Sequence, residues 1–501
     1  MQSSDPAIRF RAMSAVQPQL EALIDQLDTI RSHAESLKQQ FAEHLQHVHP
    51  NFADSAHNLI DYLALRQFDL REIQEQLSGL GLSSLGRTEA HTMASLNAVV
   101  QVLERLAGSG GEVVSFADDY ARGRDLLTAH TEVLLGPRPA TRATRIMVTL
   151  PSEAEGDYRL LCALIRAGMN CARINCVHDS ETVWERMVGN IRRAEREVGR
   201  ACRILMDLGG PKLRTGPLAE PLTLRKGEGL VLCRDAEEGR SACEDSPARV
   251  VCAVSGIYGG VQVGEAVLFD DGKIESVVRG VAQDEIQLEI TRADDKGSRL
   301  AADKGINFPE SRLKLRGLSE QDLEHLDFVA RRADIVGMSF ANEPEDVFAL
   351  QAALGERGAG HLGILLKIET RRGFEQLPRL ILAAMRSYPA GVMIARGDLA
   401  VECGWERTAE VQEEILWLCE AGHMPVVWAT QVLEKLAKKG LPSRAEITDA
   451  AMSQRAECVM LNKGPHIVEA VHSLADILCR MQEHQHKKTA TLRSLKVSNL
   501  V

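Results

Sequence analysis

Two apolar stretches of the chain end abruptly in charge. GILLKIETRRG carries Lys367 and Glu369 after its apolar run, and GVMIARGDLA carries Arg396 and Asp398 in the same way. Residues two apart on a strand share a face, so Lys367 and Glu369 are predicted to point together. Two carboxylates suit Mg²⁺, which binds one or two of them with water and substrate oxygens. The neighbouring ammonium and guanidinium would stabilise an oxyanion or a phosphoryl group in transfer.

The elements that position these charges repeat along the chain. Short apolar strands are each followed by a helical pattern, and neighbouring strands start 25 to 34 residues apart except between the third and the fourth. This spacing is typical of an α/β fold built as a (β/α)₈ barrel, whose active sites lie at the carboxyl ends of the strands. The predicted strands are 144–150, 169–175, 202–208, 333–340, 363–369, 391–397, 424–431 and 458–464.

Charged and hydroxyl residues follow seven of these strands, in RIN, DLGGPK, SF, KIE, ARGD, ATQ and LNKG. One isolated charged pair would be better explained as a surface ion pair. Seven strand ends together favour a functional site over a network of salt bridges at the rim.

The remaining sequence divides around the barrel. Residues 1–135 carry apolar residues at helical spacing, which predicts an N-terminal α-helical extension. Short β patterns with a DDG turn predict a small all-β domain inserted after the third barrel strand. The predicted limits are 1–135 for the extension, 142–216 and 306–485 for the barrel, 217–305 for the inserted lid domain, and 486–501 for a basic, partly disordered tail.

Composition excludes several classes of function. The chain has 501 residues, a net charge of −11 and 45% hydrophobic residues, which argues against nucleic acid as its main partner. It contains 11 cysteines without a Cys-x-x-Cys pair, as expected of buried thiols in a reducing compartment. No apolar run is long enough for a membrane span and the N-terminus lacks a signal-peptide core, so we expect a cytoplasmic protein.

Six motifs in order resemble the pyruvate kinase family over residues 142–485. They are AGMNCARINCVH, MDLGGPKLRTG, DKGINFP, LLKIETRRGFE, VMIARGDLAVE, and WATQVLEKL followed by PSRAEITDAA. The resemblance implies Mg²⁺-dependent phosphoryl transfer from phosphoenolpyruvate to ADP, giving pyruvate and ATP, with Mn²⁺ as an alternative metal.

Position by position, the resemblance also implies residue roles. Lys367 matches the lysine that stabilises the enolate, Arg173 the arginine on the phosphoryl group, and Thr430 the threonine near the substrate and its proton-donating water. Glu369 and Asp398 match the Mg²⁺ ligands, and Gly397 with Asp398 matches the site that holds the substrate carboxylate. The residues that match the nucleotide-binding side of the site are Asn175, His178, Arg214 and Lys304. Taken alone, His178 would be interpreted as a structural histidine.

The potassium site of the family is altered. Its positions read Asn175, Val177, Asp207 and Leu208, so two oxygen ligands are missing. Lys212 stands where potassium-dependent members usually carry glutamate and potassium-independent members carry lysine. We hypothesise that the Lys212 ammonium replaces the ion and that K⁺ is not required.

Other departures leave alternatives open. TLPSE (149–153) and NKGP (462–465) replace the usual loops, and the usual C-terminal allosteric domain has no counterpart, which predicts no sugar-phosphate control of the usual kind. Homo-oligomerisation through another surface stays open. The alternatives to an active pyruvate kinase are a catalytically weak interaction protein that uses its helical extension, and an enzyme with the same enolate chemistry but another acceptor or keto acid.

Overall fold

The computed structural model describes residues 6–234, 239–243, 246–313 and 315–490. The apolar stripe of the N-terminal extension is buried, with Leu23 and Leu27 fully enclosed where the long first helix packs on two later helices of the extension. The helical spacing of apolar residues predicts one helix over 55–77, but this part of the chain forms two helices. The extension comprises α1 (Pro6–Gln40), α2 (Ala42–Gln46), α3 (Ala53–Leu65), α4 (Arg71–Gly79), α5 (Thr92–Leu106) and α6 (Ala117–Leu135).

The first barrel units and the inserted domain follow. The predicted DDG turn joins two antiparallel strands, with both aspartates at positive φ. The elements here are β1 (Arg145–Thr149), α7 (Tyr158–Ala167), β2 (Cys171–Asn175), α8 (Glu181–Val198), β3 (Arg203–Asp207), β4 (Leu222–Leu224), β5 (Gly229–Cys233), β6 (Ala248–Val251), β7 (Ala266–Phe269), β8 (Ile274–Val281), β9 (Glu285–Arg292), β10 (Ser298–Leu300) and β11 (Ile306–Asn307).

The chain then returns to the barrel. Its continuation comprises α9 (Glu320–Arg332), β12 (Ile335–Met338), α10 (Pro344–Glu356), β13 (Gly363–Ile368), α11 (Arg371–Glu375), α12 (Leu377–Ala384), β14 (Ala390–Ala395), α13 (Arg396–Cys403), α14 (Thr408–Ala421), β15 (Val426–Ala429), α15 (Glu434–Lys439), α16 (Arg444–Met452), β16 (Cys458–Leu461) and α17 (Ile467–Met481). A short hairpin of β17 (Gln485–His486) and β18 (Thr489–Ala490) follows, and the predicted tail beyond 490 lies outside the described residues.

The parallel strands close in the order β1-β16-β15-β14-β13-β12-β3-β2, which confirms the predicted (β/α)₈ barrel. In the lid domain, β11-β7-β8-β9-β5-β6 form one sheet, which confirms the inserted all-β domain. The six N-terminal helices of the described part confirm the helical extension. The limits of the predicted domains stay predictions.

The end of α6 fills the amino-terminal mouth of the barrel. Leu134 and Leu135 are buried against Met147 and the other inward side chains of the strands. Gly363 and Gly391 make this possible, because a Cβ there would lie 2.6 and 2.5 Å from Leu134. The extension is therefore part of the barrel core, and the other, carboxyl-terminal mouth is left for chemistry.

Candidate functional site

A cavity of about 490 Å³ lies at the carboxyl ends of the strands, beneath the lid. Eight of the residues singled out from the sequence line it: Arg173, Asn175, Lys212, Arg214, Lys367, Glu369, Asp398 and Thr430. His178 is exposed and lines an adjoining cavity of about 270 Å³ together with Arg173 and Asn175. Gly397 and Lys304 line neither of these cavities. The sequence thus predicted a real cluster, with two residues at its margin.

Lys367 is the buried centre of the cluster. Its ammonium lies 3.1 Å from Glu369 Oε1 and 3.3 Å from Asp207 Oδ2, and donates to Ser339 Oγ at 2.6 Å. Burial alone would lower the pKa of Lys367, but the carboxylates of Asp207 and Glu369 outweigh it and raise the pKa above its ordinary value. Lys367 therefore presents a fixed positive charge to the cavity.

Asp207 lies under this cluster and couples it to Arg173. The Arg173 Nε donates to Asp207 Oδ2 at 2.7 Å, and its Nη1 donates to Thr149 Oγ1 at 3.0 Å. Burial would raise the pKa of Asp207, but the charges of Lys367 and Arg173 lower it below the ordinary value. Asp207 was predicted only as a remnant of a potassium site. Its carboxylate instead orients two cations that face the cavity.

Lys212 contacts Asp398, the second of the two carboxylates predicted to bind Mg²⁺. Its ammonium lies 2.9 Å from both Asp398 oxygens and 5.9 Å from the centre of the Phe340 ring. At the altered potassium site, Val177 and Leu208 have no side-chain oxygen to offer a cation, and the Asn175 Oδ1 already accepts from the Val177 amide at 3.2 Å.

Glu369 and Asp398 are the residues that could hold a divalent cation. Burial raises the pKa of Glu369, Lys367 lowers it, and the neighbouring Asp398 raises it again. The second oxygen of Glu369 accepts from the Phe340 amide at 2.9 Å. Within the described ranges no three His, Cys, Asp or Glu side chains form a preformed metal cluster. Two mutually repelling carboxylates beside an open cavity nevertheless fit Mg²⁺, which keeps waters and substrate oxygens as its other ligands.

Thr430 follows β15 in a left-handed conformation, with φ 63°. Its Oγ1 is buried and has no hydrogen-bond partner among the described residues. A Cβ at Gly397 would lie 3.9 Å from the Thr430 methyl, so the backbone before Asp398 packs closely beside this threonine. Thr430 itself lines the cavity, so its side chain lies at the cavity wall.

Arg396 does not contribute its charge to the cavity, contrary to expectation. Its guanidinium binds Asp449 on α16 and the Ala429 carbonyl. The reason is that β14 ends at Ala395 and Arg396 begins α13. Residues two apart on a helix lie about 200° apart, so Arg396 and Asp398 face opposite ways.

The lid brings further cations near the cavity. Arg214 Nη1 donates to the Asp303 carbonyl at 3.0 Å, and Lys304 Nζ lies 3.0 Å from Asp270 Oδ1. The lid also contacts helix α13, where Asn307 Nδ2 donates to Glu402 Oε1 at 2.9 Å. Arg214 therefore belongs to the cavity, whereas Lys304 is held by the lid's own turn.

Sequence reasoning missed several lining residues. Ser339 was noted only as part of a strand end, although it is the hydroxyl partner of Lys367. Lys438 and Lys463 line the smaller cavity, and Asn462 lines both. LNKG is one of the seven charged strand ends predicted from the sequence, but that prediction assigns Lys463 no role of its own. A lysine directly after a barrel strand was the signal that could have identified Lys463.

The protein is therefore a parallel (β/α)₈-barrel protein with an inserted β lid domain. A pocket rich in cations lies at the carboxyl-terminal mouth of its barrel. The profile described as "Pyruvate kinase, barrel domain" matches residues 141–467, and the chain belongs to the pyruvate kinase family. No helix in the described part is both long and apolar enough to cross a membrane.

Individual relatives agree with this assignment. The chain is 31% identical to a pyruvate kinase of Bacillus licheniformis over 71% of this chain and 60% of the relative. It is 31% identical to a pyruvate kinase of Geobacillus stearothermophilus over 68% of this chain and 57% of the relative. It is also 33% identical to pyruvate kinase PKLR of Rattus norvegicus, over 67% and 60% respectively. The chain thus spans about 60% of the length of these relatives.

Proposed function

We propose that the chain is an active pyruvate kinase that transfers a phosphoryl group from phosphoenolpyruvate to ADP. The observation that carries the proposal is the burial of the Lys367 ammonium between Asp207 and Glu369, with Arg173 on the same aspartate. A protonated lysine and a guanidinium, both fixed before substrate arrives, are what a developing enolate and a phosphoryl group require.

In this proposal the substrate phosphoryl group lies on Arg173 and the enol oxygen on Lys367. The bond between phosphorus and the enol oxygen breaks, its electron pair stays on that oxygen, and a terminal ADP oxygen takes the phosphoryl group. Glu369 and Asp398 would hold Mg²⁺, which supplies positive charge to the phosphoryl and carboxylate oxygens when bound. Thr430 faces the carbon that is then protonated to give pyruvate.

The nucleotide is assigned to the side of the cavity bounded by the lid. Asn175, His178 and Arg214 would contact its phosphates, and Lys304 would reach them after leaving Asp270. Lys438 and Lys463 also line the adjoining cavity, where Lys438 is paired with Glu434. Lys212 supplies a fixed ammonium beside Asp398, and this supports catalysis without K⁺.

A coupled assay of ATP formation from phosphoenolpyruvate and ADP tests the proposal. The unaltered protein should form ATP with Mg²⁺, and Lys367→Met should lower the rate by roughly 10²- to 10³-fold, as loss of an oxyanion donor does. Lys226→Met, which alters an exposed lid lysine, is the matched control and should retain the rate. Equal activity in Lys367→Met, or none in the unaltered protein, would overturn the proposal.

The interaction-protein alternative receives less support. It requires the helical extension to present a free surface, but the apolar stripe with Leu23, Leu27 and Ile30 is buried within the extension. The extension is also fixed to the barrel, since Asn58 Nδ2 donates to the Ala421 carbonyl at 2.8 Å. An enzyme with another phosphoryl acceptor would instead form pyruvate without ADP, and one with another keto acid would not form ATP from phosphoenolpyruvate. The same assay distinguishes both from a pyruvate kinase.

A further inference from the structure

The Arg396 guanidinium forms its hydrogen bonds behind the cavity wall, with the end of β15 and with helix α16. Its Nε donates to the Ala429 carbonyl at 2.9 Å, and Nη2 donates to the Thr430 carbonyl. Nη1 and Nη2 donate to the two Asp449 oxygens at 2.5 and 2.9 Å. The side chain is 14% exposed and lies over the Trp428 ring, with Cζ 5.0 Å from its centre. One guanidinium therefore joins the end of β15 to helix α16.

The segment that Arg396 holds is strained. Thr430, Gln431 and Leu433 all have positive φ, at 63°, 58° and 46°. A β-branched residue such as Thr430 rarely adopts this conformation, which costs about 1–3 kcal/mol and persists only when its surroundings fix it. The two carbonyls bound by Arg396 belong to the residues where the strand turns. The guanidinium is thus placed to keep Thr430 in its left-handed conformation.

Asp449 fixes the guanidinium in turn. A carboxylate that binds both terminal nitrogens of an arginine sets the plane of the fork as well as its position. Asp449 lies on α16, whose start is itself fixed by a capping box between Ser443 and Glu446. These contacts connect α16 through Arg396 to the turn at Thr430, whose buried hydroxyl has no hydrogen-bond partner among the described residues.

We infer that Arg396 and Asp449 are positioning residues that hold the Thr430 hydroxyl for the protonation step, an inference that rests on the proposed function. In that step the enolate carbon takes a proton from a water molecule, a C–H bond forms, and the electron pair of the broken O–H bond stays on the water oxygen as hydroxide. The hydroxide is then neutralised by a proton from bulk water. Arg396 touches no substrate, so its effect should fall on this step and spare phosphoryl transfer.

Two measurements on the full chain separate the steps. Exchange of the pyruvate methyl protons with D₂O, followed by proton NMR with Mg²⁺ and ATP present, reports protonation. A single-turnover measurement of ATP formed from bound phosphoenolpyruvate and ADP reports phosphoryl transfer. Arg396→Lys keeps the positive charge but loses the planar, paired N–H donors of the guanidinium. It should slow the exchange of the pyruvate methyl protons by roughly tenfold or more, in the range of general acid–base effects.

The graded variants sharpen the test. Asp449→Asn keeps one acceptor and should slow exchange less than Asp449→Ala, while the single-turnover rate and the KM for phosphoenolpyruvate stay near those of the unaltered protein. Glu410→Gln, which breaks the exposed pair with Arg407, is the control and should change neither rate. Asp449→Asn is the gentlest change and serves if Arg396→Lys fails to fold.

Equal losses in exchange and single-turnover rate, or unchanged exchange in Arg396→Lys and Asp449→Ala, would overturn the inference. Failure of the proposed function is a different result, because the unaltered protein itself would then form no ATP.

Discussion

The ammonium of Lys212 lies 2.9 Å from both carboxylate oxygens of Asp398. A fixed cation from the loop after β3 is therefore paired with a carboxylate from the start of α13, inside the cavity where both were predicted to act. Neither partner is freely solvated, since their side chains are 26% and 16% exposed. The pair has consequences both for monovalent cations and for the divalent metal.

The first prediction concerns K⁺. Because Lys212 places a permanent positive charge beside Asp398, the unaltered protein should form ATP at the same rate in Tris, Na⁺ or K⁺ buffer. Lys212→Met should lower the rate in all three, and Lys212→Arg, which retains the charge, should lose less. Strong activation of the unaltered protein by K⁺ would contradict the hypothesis.

The second prediction concerns the metal and needs no catalysis. The Lys212 ammonium competes with a divalent cation for Asp398, so Lys212→Met should tighten Mn²⁺ binding by roughly tenfold, since a charge at such a distance is worth at least about 1 kcal/mol even in bulk water. Titration of free Mn²⁺ by electron paramagnetic resonance measures this directly. Asp398→Asn is the converse change and should weaken Mn²⁺ binding. Unchanged affinity in both variants would show that the metal lies elsewhere.

Lys367 and Glu369 show how far the sequence alone could predict the site. They are two residues apart where β13 ends, so the alternation of a strand predicted a shared face, and their 3.1 Å contact confirms it. The same rule failed for Arg396, because helix α13 begins at Arg396 itself, whereas the helix after β13 begins only at Arg371, beyond Glu369. Periodicity is reliable within an element, whereas the exact residue at which an element ends depends on tertiary packing.

Contacts between distant segments were also beyond sequence reasoning. Helical spacing predicted the helix that ends at Leu135, but nothing in it shows that Leu134 fills the barrel mouth between Gly363 and Gly391. The Lys212–Asp398 pair likewise depends on how a loop of glycines and a proline folds back. Such contacts are set by the three-dimensional path of the chain, which local patterns do not encode.

Asp207 supports a third prediction, on stability. It is fully buried between Arg173 and Lys367. Asp207→Asn would leave two buried cations without their shared partner, and breaking a buried pair in this way costs roughly 3–5 kcal/mol. We expect the free energy of unfolding in urea to fall by about that amount, together with a large loss of ATP formation. Asp303→Asn, on an exposed loop residue, is the control for stability. A variant as stable as the unaltered protein would show that Asp207 is not a counter-ion.

The lid contact at Glu402 gives a fourth prediction, on pH. Burial raises the pKa of Glu402 from 4.5 to about 7, with the Asn307 hydrogen bond opposing the shift. The folded protein then binds more protons than the unfolded one between these values, so the free energy of unfolding should fall as pH rises from about 4.5 to about 7. A shift of this size corresponds to about 3 kcal/mol.

Glu402→Gln keeps an acceptor for Asn307 and removes the titration. Urea unfolding between pH 5 and pH 8 should therefore show a flatter profile in Glu402→Gln, with its largest relative gain in stability at pH 8. Glu406→Gln, on an exposed glutamate just after α13, should keep the original slope. If Glu402→Gln and the unaltered protein show parallel profiles, Glu402 is not the group that makes the free energy of unfolding depend on pH.

The final prediction concerns the hairpin of β17 and β18, whose turn holds two lysines against the body of the protein. The Lys487 ammonium contacts Glu457 beside β16, and the Lys488 ammonium contacts Glu89 of the extension. Lys488 also lies 5.1 Å from the centre of the Trp417 ring. Glu89 is 4% exposed, so this ion pair is largely shielded from solvent on the carboxylate side. The hairpin thus joins the helical extension to the barrel through buried ion pairs.

Lys487→Met and Lys488→Met would each leave a glutamate uncompensated, and should lower the free energy of unfolding by roughly 3–5 kcal/mol. The double change Lys488→Met with Glu89→Gln removes both charges and should recover most of the loss, because the cost lies in the unpaired carboxylate. Lys439→Met alters an exposed lysine and should have little effect. ATP formation at low temperature should persist in every variant, since the hairpin lies away from the cavity. The free energy of unfolding could instead fall in Lys488→Met and fail to recover in the double variant. Lys488 would then act through its packing on Trp417 and not through its charge.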